Sequence, residues 1–286
     1  MTGGGDSSSG WQSTEAGVLW EPAASQAALA EPDSDLPLRG CFVTGTDTEV
    51  GKTAVSAGLL HALGCHGLRV AGYKPVAAGA VWCSAASGPG GHWHNEDVEA
   101  LHAASNIELT RSEVCPCLLE EACAPHLAAR LEGGRIEPRV LIDGARRLMP
   151  RCDALVVEGV GGFCVPLVEA EEGSDAEDWG ADDLACALDL PVILVVGVRL
   201  GCINHSLLTA QAITARGLRL AGWIANRVDP DMTHAQDNID TLTRALQGRH
   251  GAPLLGVVDY LVPVTAARVA DQLDLDALLK ALGLGD

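Results

Sequence analysis

The chain has 286 residues, 48% hydrophobic and 20% charged, with 33 glycines and a formal net charge of −19. That length suits one large α/β domain or two smaller ones, either with a substantial core. The acidic excess excludes the basic footprint that nucleic acid needs and a polybasic membrane-surface role, and no apolar run approaches the roughly 18–20 residues of a membrane span.

In chain order, residues 1–38 are read as a mobile acidic extension, rich in Gly, Ser and Ala, with six acids and no Lys or Arg. Without a basic start or an apolar centre this stretch has no secretory or transit pattern, so a cytoplasmic location is expected. Trp11 and Trp20 offer points that would tack it to the body. From residue 39 to 286 a single domain is expected. Short apolar runs at 41–44, 70–73, 154–157, 192–198, 220–225 and 254–257 alternate with helical stretches at 52–64, 138–149, 204–216, 233–247 and 272–282. Strands apolar on both faces, each followed by a helix, predict an α/β fold: a mostly parallel sheet covered by helices on both faces.

Two stretches interrupt the alternation. Residues 82–95 read as a Gly/Ser/His-rich loop, with His92 and His94 turned to solvent. Residues 169–183 carry eight acids and no base, which predicts a solvated loop ahead of a divalent-cation site. The ten cysteines are scattered without a C-x-x-C pair, so reduced and mostly buried thiols are expected; Cys115 and Cys117 give only a weak metal signal.

The strongest chemical signal is the stretch from Gly45 to Gly51, Lys52 and Thr53, placed between a strand and a helix. A glycine-rich turn at a helix N-terminus aims backbone N–H groups at an anion, and the helix dipole adds to the attraction. Lys52 would reach the outer phosphates of a nucleotide and Thr53 would bind Mg²⁺, making the fold P-loop NTPase-like. Five residues rather than four separate the two glycines, so Thr46 stands where the first glycine of the common pattern falls. The strand at 154–157 delivers Glu158 at its C-terminal end, followed by Gly159, Val160 and Gly161: a Walker B arrangement, with Glu158 a metal ligand. Lys74 ends the strand at 70–73. The chain has only three lysines, so two at one sheet edge point to a site for phosphate and a second anion. Asp97 is either a further Mg²⁺ ligand or the N-cap of its helix. Asn226 either reads adenine or caps a turn. The run Gly201, Cys202, Ile203 and Asn204 opens a helix whose free N–H groups suit a carboxylate.

Five segments together resemble the dethiobiotin synthetase family: F-V-T-G-T-D-T-E-V-G-K-T at 42–53, A-G-Y-K-P-V at 71–76, V-E-G-V-G-G at 157–162, L-P-V-I-L-V-V-G-V-R-L-G-C-I-N-H at 190–205 and L-A-G-W-I-A-N-R-V at 220–228. The resemblance implies an ATP- and Mg²⁺-dependent ring closure. In it 7,8-diaminononanoate takes up CO₂ (bicarbonate in solution) as a carbamate, ATP phosphorylates the carbamate, and the second amine closes the ureido ring. It implies a phosphate cradle of Glu49, Val50, Gly51, Lys52, Thr53 and Ala54, with Thr48 and Glu49 beside phosphate and diamine. Lys52 and Lys74 would stabilise the reacting charge, and Thr53, Asp97 and Glu158 would hold Mg²⁺. Gly159, Val160 and Gly161 would approach the nucleotide, while Asn226, Arg227, Asp259, Tyr260 and Leu261 would line the base. Gly201, Cys202, Ile203 and Asn204 of a second subunit would hold the substrate carboxylate, so a homodimer is implied. The family serine at the substrate wall is here Ala78, which predicts weaker binding by about 0.5–1.5 kcal/mol for one lost hydroxyl contact. Arg227 stands where the family often has an acid. The alternative reading is a nucleotide-switched P-loop ATPase of the MinD type that binds a protein partner.

Overall fold

The computed structural model describes residues 37–84, 91–170 and 177–285; the expected mobile extension, save Pro37 and Leu38, lies outside them. Strand β1 (Gly40–Gly45) turns into helix α1 (Lys52–Cys65), followed by β2 (Val70–Tyr73) and the short β3 (Val76–Ala77). Then come β4 (Val81–Ser84), β5 (Gly91–His94), α2 (Glu96–Ala104), α3 (Arg111–Val114), β6 (Cys117–Leu118), α4 (Pro125–Leu131) and α5 (Pro138–Leu148). The next group is β7 (Ala154–Glu158), β8 (Pro166–Val168), β9 (Trp179–Gly180) and α6 (Ala181–Leu188). The chain closes with β10 (Val192–Gly197), α7 (Cys202–Ala215), β11 (Leu220–Asn226), α8 (Ala235–His250), β12 (Leu254–Val258), α9 (Ala266–Ala270) and α10 (Leu275–Leu282).

Six strands form one parallel sheet in the order β12-β11-β10-β1-β7-β2. All six expected strands are present, and β1, β7 and β10 are buried along their whole length, as strands covered on both faces must be. The chain leaves β1 for β2 on one side and returns to β10 on the other, so the strand order reverses at β1. Crevices open beyond the carboxyl ends of strands at such a reversal. The register there sets Val43 of β1 against Glu158 of β7 and Gly45 against Val195 of β10. Gly72 in β2 lets the covering helices approach, since a Cβ there would lie 2.9 Å from Leu60 Cδ1 and 3.0 Å from Leu101 Cβ. Tyr73, fully buried, donates its hydroxyl to the Leu141 carbonyl at 2.6 Å and so ties β2 to α5.

Several sequence expectations need correction. Within the stretch at 82–95, residues 85–90 lie outside the described set, and the two flanks are not loop but antiparallel partners, β4 with β5, in which Trp82 and Trp93 meet edge to face at 5.3 Å, a favourable aromatic cross-strand pair. The acidic stretch at 169–183 is only partly a loop: residues 171–176 lie outside the described set, but Asp182 and Asp183 form the first turn of α6. There the helix dipole favours them, Asp183 accepts from the Gly180 N–H at 2.7 Å, and both pair with Arg216. The helix expected at 204–216 begins at Cys202, and the one at 272–282 begins only at Leu275, where the Asp274 side chain caps it by accepting from the Ala277 N–H. All ten cysteines are free thiols, five of them buried. Burial pushes the Cys115 thiol up to about 12, far from metal-binding thiolate. No described helix is long and apolar enough to cross a membrane.

Trp223, in β11, is the largest fully buried side chain. Trp223→Ala should lower stability by about 3–5 kcal/mol in urea unfolding; a loss below about 1 kcal/mol would show that the sheet core is not packed as described.

Candidate active site

The turn between β1 and α1 is shaped by sterics before any ligand is considered. Glu49 (φ 58°) and Gly51 (φ 87°) both adopt left-handed backbone, which bends the chain so that successive N–H groups face one concavity. Gly45 is the last residue of β1; a Cβ on it would press 2.6 Å from Val50 Cγ2 and 3.1 Å from Lys52 Cδ. This is why glycine stands there and Thr46 is tolerated next: Thr46 is anchored instead by its N–H to the Val195 carbonyl at 3.1 Å. Gly51 admits no side chain either, because a Cβ would collide with the Asn226 amide.

Lys52, 7% exposed, folds back over the turn and donates to the Asp47 carbonyl at 2.9 Å. Burial, then repulsion from Lys74, lowers its pKa to about 8, against the opposing pull of Glu158, Asp97 and Asp47. One residue on, the Thr53 hydroxyl lies 2.6 Å from Asp97 Oδ1 and 2.8 Å from Glu158 Oε1. A hydroxyl has one proton, so it satisfies only one of these oxygens at a time. Lys74, 2% exposed, sits between the same carboxylates, 2.6 Å from Glu158 Oε1 and 2.8 Å from Asp97 Oδ2. Burial pulls the Lys74 pKa down, but the two carboxylates outweigh it and raise the pKa above the ordinary lysine value. Asp97 shows the converse: burial pushes it up, while Lys74, Thr53 and Lys52 hold it below the usual carboxylate range. Glu158 is fully buried, and its Oε2 has no hydrogen-bond partner.

These features fit a divalent cation. An orphaned, fully buried carboxylate oxygen, a second carboxylate and a hydroxyl within 2.8 Å of both form a hard-oxygen donor set of the kind Mg²⁺ takes together with phosphate oxygens. Among the described residues no three His, Cys, Asp or Glu side chains are placed to hold a metal by themselves.

A cavity of about 910 Å³ opens over this cluster. Thr48, Glu49, Gly51, Lys52 and Thr53 form its floor; Lys74, Ala77, Ala78 and Asp97 form one wall; Glu158, Val160, Gly161, Gly162 and Val165 form another. A second cavity of about 260 Å³, which shares Gly51, is lined by Ala54, Asn226, Arg227, Asp259, Tyr260 and Leu261 among others. Two of the open alternatives bear on this geometry. Asn95, not Asp97, caps α2, leaving the Asp97 carboxylate free for the cluster. Asn226 both lines the second cavity and holds the turn, donating to the Val50 carbonyl at 2.9 Å.

Not every expected residue lines a cavity. Val50 is 1% exposed, its side chain belongs to the core, and it lines neither cavity. Gly159 lines neither cavity, but its carbonyl lies 3.4 Å from Lys74 Nζ. Gly201, Cys202, Ile203 and Asn204 line neither cavity of their own chain, and Cys202 is buried. His92 is exposed, as expected. Sequence reading missed Asp47, whose carboxylate pairs with Arg199 at 2.7 Å, and residues 122–125, which close the far wall of the larger cavity. Arg199 follows β10 at the carboxyl edge, a position that marks ligand sites in such sheets. Pro125 at the first position of α4 was the available sign that a helix starts beside the cavity.

A family model described as an AAA domain (AAA_26) matches residues 39–268. Among solved structures, the septum site-determining protein MinD from Pyrococcus horikoshii, complexed with Mg-ADP, is 16% identical over 85% of this chain and 94% of that one, with a TM-score of 0.46. MinD from Aquifex aeolicus is 16% identical over 87% and 98% of the two chains, with a TM-score of 0.48. A ParA family ATPase from Chlorobium tepidum is 13% identical over 86% and 94%, with a TM-score of 0.44. Likenesses of this size carry no argument about activity.

Two outcomes follow from the geometry. Lys74→Met leaves the buried Glu158 charge without its partner and should cost about 3–5 kcal/mol in urea unfolding, with much of the loss recovered in Lys74→Met/Glu158→Gln; equal loss in both variants would mean the pair is not the cause. Because Lys52 binds anions only when protonated and titrates near 8, nucleotide affinity should be level around pH 7 and weaken towards about tenfold per pH unit above 8. Lys52→Arg, which stays charged, should flatten that slope; an unchanged slope would remove Lys52 from phosphate binding.

Proposed function

Because the chain belongs to the AAA_26 family of AAA domains, we propose that it is an ATP- and Mg²⁺-dependent ligase of the dethiobiotin synthetase type, which carboxylates 7,8-diaminononanoate with CO₂ and closes the ureido ring. The observation that carries this reading is that one cavity of about 910 Å³ is lined both by the two buried lysines and by the apolar side chains of Ala77, Ala78 and Val165. A nucleotide triphosphate tail needs the P-loop lysine alone; a second, buried and permanently charged lysine beside a short-side-chain wall suits a second anionic reactant with an aliphatic body.

On this reading one amine of the diamine attacks CO₂ and, after losing a proton, leaves a carbamate whose negative oxygen faces Lys74. That oxygen attacks the γ-phosphorus of ATP, breaking the bond to the β–γ bridging oxygen, and ADP departs. The second amine then attacks the carbamate carbon, the bond to the phosphate oxygen breaks, and as the ring closes the proton shed by that amine passes to the departing phosphate. Each step moves negative charge across the space between Lys52 and Lys74, so catalysis is chiefly positioning and charge stabilisation. The raised pKa of Lys74 makes it a fixed cation rather than a proton acceptor. Mg²⁺, when held by Thr53, Asp97 and Glu158, would neutralise charge on the β- and γ-phosphates. The base would lie in the 260 Å³ cavity over Gly51, against Tyr260 and Leu261. Gly201, Cys202, Ile203 and Asn204 would serve the substrate carboxylate of a second copy: Gly201 is left-handed (φ 96°) and opens α7, whose free N–H groups attract an anion.

The alternative, a MinD-type switch that binds a protein partner, shares the nucleotide site but has no use for a diamine. The test is ADP release with ATP, Mg²⁺ and bicarbonate, with and without 7,8-diaminononanoate. Diamine-stimulated release with dethiobiotin as product is expected, with Lys52→Ala reducing turnover by 10² or more, as loss of a charge-stabilising donor typically does. Nucleotide binding that is indifferent to the diamine would overturn the ligase and favour the switch.

A further inference from the structure

Asn95 lies between β5 and α2 in extended backbone (φ −140°, ψ 127°), and both ends of its side-chain amide are engaged. Its Oδ1 accepts from the N–H groups of Asp97 at 3.1 Å and Val98 at 3.3 Å, while Nδ2 donates to the Ala78 carbonyl at 3.2 Å. Serine and aspartate also cap helices, but neither offers an acceptor and an N–H donor on one short, planar group. The two things joined by this amide belong to different halves of the site. Asp97, in the first turn of α2, reaches Thr53 at 2.6 Å and Lys74 at 2.8 Å, whereas Ala78 belongs to the wall beside Lys74.

We propose that Asn95 is a positioning residue that holds the cation-side carboxylate of Asp97 and the substrate-side wall at Ala78 in one frame, so that nucleotide–cation and diamine are bound in register. The inference rests on the ligase reading and adds a residue to it. Asn95 touches neither reactant; it acts through the backbone on either side. Helix capping alone would make Asn95→Ser equivalent to the parent chain, because serine is as good a cap. The positioning role separates the two bonds: serine keeps the cap and loses the reach to Ala78, and alanine loses both.

The experiment measures the affinity of a fluorescent ADP analogue as Mg²⁺ is titrated, together with KM and kcat for the diamine, in the parent chain, Asn95→Ser and Asn95→Ala. Thermal melts of each report folding. In Asn95→Ala the Mg²⁺-free affinity should stay within about twofold, while the Mg²⁺ concentration for half-maximal tightening rises about tenfold, the usual size for groups that orient metal ligands. In Asn95→Ser the Mg²⁺ midpoint should hold, and KM for the diamine should rise about tenfold with kcat kept. An unshifted Mg²⁺ midpoint in folded Asn95→Ala, or an unshifted KM in Asn95→Ser, overturns the inference and leaves the ligase reading standing. A parent chain that ignores the diamine overturns the ligase reading itself.

Discussion

Everything at the carboxyl edge of the sheet is arranged around one electrostatic constraint: two carboxylates and an ammonium kept close, with Glu158 and Lys74 at 0% and 2% exposure. Burying an isolated charge costs several kcal/mol, and a buried pair is tolerated only when geometry and further hydrogen bonds offset that cost. Each member comes from a different element. Lys74 directly follows β2, Glu158 ends β7, and Asp97 and Thr53 sit in the first turns of α2 and α1. The adjacency of β7 to both β1 and β2 is what lets a lysine and a glutamate 84 residues apart meet at 2.6 Å. A shift of β2 against β7 would leave Lys74 or Glu158 short of its partner in a dry environment, so this pair fixes the two strand ends against each other.

The same cluster explains how a chain of net charge −19 handles polyanions. Its two site lysines are concentrated where the field is least screened by water, and the acids of the α6 first turn and the 169–170 region are paired with Arg216 and Arg130. Arg199 neutralises Asp47 at the lip of the P-loop turn, so that this carboxylate does not oppose an incoming phosphate unpaired. Local charge placement, not the overall balance, sets what the cavity attracts.

The strands, the P-loop turn and the strand-end residues Lys74 and Glu158 were legible in sequence because each leaves a local signature: a buried apolar run, a glycine-bounded turn, a lone charge at the end of a strand. What escaped were relations between distant segments. Whether Asp97 caps or coordinates depends on which side chain precedes α2 with a free carbonyl, and Asn95 takes the cap because its amide also reaches Ala78. The pairing of β4 with β5 was hidden by glycines, since the cross-strand Trp82–Trp93 contact within it is invisible to periodicity. Val50 reads as part of the cradle from its place in the motif; that its side chain packs in the core, between two left-handed residues, is not legible there. Residues 122–125 carry no chemical motif at all; only the fold brings them to the cavity.

Among the described residues, Gly51 is the one that lines both cavities. The Asn226 amide fills the place where a Cβ would stand, so a group that crosses from the larger chamber to the smaller, more apolar one at this point must displace that amide from the Val50 carbonyl. Two weak fragments, a flat heterocycle in one chamber and an aliphatic amine in the other, joined by a short tether past Gly51 would place the second at a local concentration of order millimolar. The hydrogen bond by which Asn226 holds the turn thus also sets the resistance that a two-headed inhibitor would meet on that path.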